Sequence, residues 1–290
     1  MTIAVVVKVD DGYVIASDSA TTVGGSTPAG DVILNIYNNA NKIFNLRKGL
    51  PLSAMTYHLG NIGPASISTL AKDLRSRFSG KASGYEGWKL KRGEYTMQEV
   101  VDKFKEFFWD EHYKPFADSA KARGEDTPLL GLIVGGYGAD EDQPELFEFQ
   151  LTPAGCAGPT PVLEHDTGAS WWAQGEAITR MLKGVSGFTP QALLNLNVVA
   201  NEAAAIKLAD DIASQVNVQI VAPAMPIQDA VDLAEFLVRV TIGFVRFCPG
   251  HPTVGGPIEI AAVTKHEGFK WVQRKHYFDA NLNPTTRRTQ

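Results

Sequence analysis

The chain has 290 residues, 44% of them hydrophobic and 20% charged, with a net charge of -5, a composition that excludes a disordered polar chain and supplies a well-filled core. Its 27 Lys and Arg residues are scattered rather than clustered, which argues against nucleic acid as a partner, and Cys156 and Cys248 lie too far apart in sequence to suggest a zinc site or a disulfide framework. The apolar run FLVRVTIGFVRF at 236–247 carries Arg239 and Arg246, and the N-terminus lacks the pattern of a signal peptide, so the expectation is a cytoplasmic chain with no membrane partner.

The elements follow in chain order. TIAVVVKV and YVIASDS are β-branched runs joined at Asp10-Asp11-Gly12, and Asp-Gly between such runs predicts a β-hairpin over 2–19. After a polar Gly/Thr/Ser/Asn stretch, NKIFNLRKGLPLSAMTYHL supplies two strands turning at Lys48-Gly49. A helix is expected after Gly60, with Ile67, Leu70, Ala71 and Leu74 on one face, and residues 80–94 read as a loop. Thr96 with Glu99 forms a capping box for a second helix running to about Trp109. LLGLIVGGYG and PELFEFQLT are two more strands, a third helix is expected after Gly168, and helical patterns fill about 189–213 and 227–247. IEIAAVTK and FKWVQRK close the chain around Glu267-Gly268. Tight turns between strands, with helices grouped elsewhere, indicate an α+β chain with antiparallel sheets. With no composition break and no internal repeat, 1–290 reads as a single domain.

Thr2 carries the chemistry. A small penultimate residue permits removal of the initiator methionine, after which Thr2 owns both a hydroxyl nucleophile and an α-amine of pKa about 8, a base that works at neutral pH without histidine. Such a nucleophile needs a nearby cation and a carboxylate to hold it. Asp18 ends the strand that the hairpin turn brings beside Thr2, and Lys42 lies in the apolar NKIF segment, where an inward lysine requires a partner.

These residues resemble those of the proteasome β-subunit family of N-terminal nucleophile (Ntn) hydrolases, and in particular its bacterial members. The matching features are Thr2, Asp11-Gly12, Ala16-Ser17-Asp18-Ser19, Lys42-Ile43-Phe44, Gly60 and Leu132-Ile133-Val134-Gly135-Gly136-Tyr137, with a Thr2-to-Asp18 spacing equal to the family's. PELFEFQLTPAG, TGASWWAQG and TVGGPIEIAAV are similar to later family segments. The resemblance implies a four-layer αββα sandwich of two antiparallel sheets, with an added loop near 80–95 and an added helical segment near 189–220. It also implies a threonine-type peptidase needing no cofactor, assembled as a homo-oligomeric ring or double ring around peptide or unfolded-protein substrates, with an unfoldase partner left open. Thr2 would attack, Lys42 would tune it, Asp18 would orient Lys42, the Gly60 N–H would serve as oxyanion donor at a helix start, and Thr22 would bind substrate backbone.

The chain departs from that pattern in three places. The interval from Asp18 to Lys42 is longer, through VGGSTPAGD; the family's supporting serine aligns with Gly168, leaving Ser170 or Thr167 to replace it; and the final motif has His251 and Val254 in place of its aspartate and serine, with Thr253 the nearby hydroxyl. Two further readings stay open: an Ntn amidase or acylase acting on a small molecule, and a catalytically inactive structural ring subunit. Among the other features, Trp171-Trp172 reads as core, GGYG at 135–138 as a strand end, and Glu164-His165-Asp166 as strand neighbours facing opposite ways.

Overall fold

The computed structural model describes residues 2–27 and 30–275. The chain opens with strands β1 (Ile3–Val9), β2 (Gly12–Ser17), β3 (Thr21–Thr27), β4 (Gly30–Tyr37), β5 (Ile43–Asn45) and β6 (Leu52–His58), followed by the two-residue strands β7 (Asn61–Ile62) and β8 (Ala65–Ser66). Helices α1 (Ile67–Phe78), α2 (Met97–Lys105) and α3 (Lys114–Ala122) follow, with a π-helical stretch at Glu106–Tyr113 joining the last two. Next come β9 (Leu130–Gly136), β10 (Glu145–Thr152), β11 (Gly155–Pro161) and β12 (Gly168–Ala173). The remaining elements are α4 (Glu176–Lys183), α5 (Thr189–Asn195), α6 (Glu202–Val216), α7 (Ile227–Phe247), β13 (Glu259–Thr264) and β14 (Gly268–Gln273). The result is an α+β structure with two five-stranded antiparallel sheets, ordered β12-β1-β2-β13-β14 and β11-β10-β9-β6-β5.

Strand β1 shows why the sequence IAVVVKV is apolar almost without alternation: every residue in it is buried. Ile3, Val5, Val7 and Val9 pack with Val14, Ala16 and Ile260 against α4 and α7, through Ile178, Ala234, Leu237 and Val238. Ala4 and Val6 point the other way, meeting Ile43, Met55, Tyr57 and Ile133 of the second sheet. Both faces of the strand are therefore covered, and each fully buried Val or Ile contributes about 1.5–3 kcal/mol. A third cluster joins the far face of the second sheet to α1, α2 and the π-helical stretch, through Leu70, Leu74, Val100, Phe104 and Phe107. Thr96 caps α2 by accepting the Glu99 N–H at 3.1 Å, as its spacing predicts.

Several elements differ from the sequence reading. Residues 168–173 form β12 rather than the start of a helix, because TGASWWA has a period of two: Ala169 and Trp171 face the α7 side, and Trp172 faces the other sheet. The polar stretch after Asp18, in which no strand is expected, supplies β3 and β4, which pair as a hairpin whose Thr, Val and Ile content outweighs its glycines; Pro28 and Ala29 lie outside the described residues. An unanticipated edge strand, β11, pairs with β10 although GCAGPTP has no hydrophobic period. The region 189–213 divides into α5 and α6. Among the described residues, no helix is long and apolar enough to cross a membrane.

Candidate active site

The tight turn at Gly12 sets the register of β1 and β2, which pairs Ala4 with Ser17 and carries Asp18 to the start of the chain. Asp18 is fully buried, and both its oxygens are occupied. Oδ1 accepts the Ile3 N–H at 3.1 Å and the Lys42 ammonium at 2.7 Å; Oδ2 accepts the N–H groups of Ala20 and Gly255, each at 3.0 Å. Four donors hold one carboxylate, so its orientation is fixed. The Gly255 contact depends on its neighbour: Gly256 has φ +76°, and a Cβ there would stand 2.5 Å from the Asn38 carbonyl oxygen.

Lys42 is buried just before β5. Burial pulls its pKa below the ordinary lysine value, against the opposing pull of Asp18. A second buried pair stands beside the first. Lys275 donates to Ser19 Oγ at 2.7 Å and to the Ala40 carbonyl at 2.5 Å, and its Nζ lies 3.2 Å from Glu259 Oε2. Burial lowers the Lys275 pKa too, and Glu259 raises it in part. The sequence reading missed both members of this pair, since only the fold brings residues so far apart together.

Thr2 is buried, and its carbonyl accepts the Gln174 N–H at 2.9 Å. It lines a cavity of about 500 Å³ together with Lys42, Thr21, His58, Gly60 and the first turn of α1. Thr2, Lys42 and Gly60 thus share one cavity, and Asp18 stands behind Lys42. His58, not foreseen from the sequence, closes β6 with φ +67°, a left-handed conformation uncommon for a residue with a side chain. Partial burial lowers its pKa below the ordinary imidazole value.

The structure places several of the expected site residues differently from the sequence reading. Gly60 is not at a helix start: the β7–β8 hairpin intervenes, and α1 begins at Ile67, where Ser66 Oγ caps the helix by accepting the Thr69 N–H at 3.1 Å. Ser170 lies within β12 opposite Val6 and does not line the Thr2 cavity. Thr167, its alternative, lines a separate cavity with Leu182 and Lys183. Of the β3 threonines, Thr21 lines the Thr2 cavity, whereas Thr22 lines an adjoining one of about 600 Å³. Thr253 is buried near the Gly255 contact but is absent from the cavity wall. Among the described residues, no group of three His, Cys, Asp or Glu side chains could hold a metal ion, Glu164-His165-Asp166 included.

Comparison with known proteins yields no matching family model and no similar curated protein. Among solved structures, the chain is similar to Anbu (ancestral beta-subunit) from Yersinia bercovieri, with 13% identity, coverage of 95% of this chain and 88% of that one, and a TM-score of 0.47. The assignment to the proteasome β-subunits nearest the bacterial homologues is thereby corrected: no family model supports it, and a likeness of this strength assigns the chain to no family.

Proposed function

We propose that the chain is an N-terminal threonine hydrolase that cleaves an amide bond, with the helix-backed pair of sheets serving as the αββα scaffold of an Ntn hydrolase. One observation carries the reading: a buried Lys42–Asp18 pair in which the same Asp18 oxygen binds the N–H of the residue following Thr2, beside a cavity that Thr2 lines. A buried ion pair is weak evidence for stability, and its placement against a chain start points instead to a chemical task.

Release of Met1 would give Thr2 a free α-amine. Thr2 Oγ would then attack the amide carbonyl while its proton passes to the α-amine and on to the departing amine. Lys42, kept cationic by Asp18, would favour the deprotonated hydroxyl and the neutral amine. The Gly60 N–H, which meets no hydrogen-bond acceptor among the described residues, would donate to the oxyanion. Water would then hydrolyse the ester on Thr2 and restore the hydroxyl. The test is turnover of a panel of fluorogenic peptide amides and small acyl amides. Wild-type protein should hydrolyse at least one, and Thr2→Ala should not; equal rates for the two proteins overturn the reading.

A further inference from the structure

Next to the Thr2 cavity lies a second one, of about 390 Å³, which shares Asn41, Ser68 and Lys72 with it. Its wall carries four cations: Lys48 from the β5–β6 turn, Lys72 and Arg75 one turn apart on α1, and Arg274 just beyond β14. None of the four has an ion-pair partner among the described residues; Arg274 rests on the Trp271 ring, 4.8 Å from its centroid. Arg75 and Arg274 are close enough that the charge of Arg274 adds to burial in lowering the Arg75 pKa. Like charges gathered on a concave wall repel each other unless an anion sits between them.

The acidic group in this cavity is Glu259, and it is already engaged. It is buried, Lys275 approaches its Oε2 at 3.2 Å, and that oxygen still lacks a hydrogen bond of proper geometry. A carboxylate acceptor short of a donor, set among guanidinium and ammonium groups, suits an oxyanion that also carries a hydroxyl. Guanidinium groups bind phosphate oxygens in a planar fork, and the acceptor takes the phosphate hydroxyl. Sulfate at neutral pH has no proton to give.

We infer that this cavity is a binding site for a phosphate group, free or carried on a small molecule, held by Lys48, Lys72, Arg75 and Arg274 and distinguished from sulfate by Glu259. The site lies beside the Thr2 cavity but does not depend on Thr2 being catalytic, so it is tested by binding alone.

The experiment is isothermal titration of the full chain at low ionic strength with inorganic phosphate, with sulfate and with O-phosphoserine. Wild-type protein should bind phosphate saturably and more tightly than sulfate. Arg75→Gln/Arg274→Gln, two changes at a cavity wall open to solvent, should weaken phosphate binding by about tenfold or more, while Lys81→Gln, outside the cavity, should leave it unchanged. Glu259→Gln should erase the preference over sulfate. Tighter binding of O-phosphoserine than of phosphate identifies the carried group as the ligand, and the reverse order identifies the free ion. The proposal falls if wild-type protein binds no phosphate, if it binds sulfate equally well, or if the double variant binds as wild type does.

Discussion

Asp18 and Lys42 meet at 2.7 Å in the interior, and the same Asp18 oxygen accepts the backbone N–H of Ile3, so one carboxylate ties a buried cation to the start of the chain. Two strands and the segment before a third converge there because the β1–β2 hairpin fixes the first two and the packing of the sheets against each other delivers the third.

Removing that carboxylate leaves the Lys42 ammonium buried without its counter-charge. Asp18→Asn is expected to destabilise the fold by about 3–5 kcal/mol, and Asp18→Asn/Lys42→Met to recover a large part of the loss, because the double variant no longer buries an ammonium without its counter-charge. Urea unfolding of the three proteins measures this. Equal instability of the single and double variants would show that Lys42 is not held by Asp18.

Tyr57 lies across Gly131 on the neighbouring strand, and a Cβ at Gly131 would stand 2.0 Å from the tyrosine ring. The ring also stacks with Trp172 at 6.3 Å between centroids, and its hydroxyl bonds to Glu148, so it has little freedom to move aside. Gly131→Ala is expected to cost about 1–3 kcal/mol by overpacking. In a Tyr57→Leu background the added cost should be much smaller, a coupling that a double-mutant cycle reads directly.

His58 gives a pH signature with a definite sign. Its folded-state pKa lies below the ordinary value of 6.5, so the unfolded chain binds the proton more readily. Its contribution to stability therefore rises as pH climbs from the folded pKa to 6.5, and below that window the full penalty applies. His58→Asn keeps a residue that tolerates the left-handed backbone. Urea melts at pH 5 and pH 7 should show a smaller loss at the acid end for His58→Asn than for wild type; an identical loss would remove His58 from the account.

The hairpin that joins Thr2 to Asp18 was legible because Asp-Gly between two β-branched runs fixes both turn and register. Lys42 was legible because a lysine in an apolar segment demands a partner. Ser170 is hard to place from sequence because Gly168 reads as a helix start, whereas the Trp-bearing segment has strand periodicity and keeps Ser170 opposite Val6. Gly60 reads as a helix terminus in the sequence because two-residue strands such as β7 and β8 leave no periodic trace. Glu259, Lys275 and the phosphate-cavity cations had no local signature at all, since each gains meaning only from side chains that the fold brings in from distant segments.

The most direct measurement of the central claim is mass mapping after treatment with a peptide epoxyketone, a probe that closes a ring only when one residue offers both a hydroxyl and a free α-amine. The account predicts a chain lacking Met1, one adduct located on Thr2, and no adduct in Thr2→Ala. A chain that retains Met1 in its purified state and stays unmodified at Thr2 would contradict it.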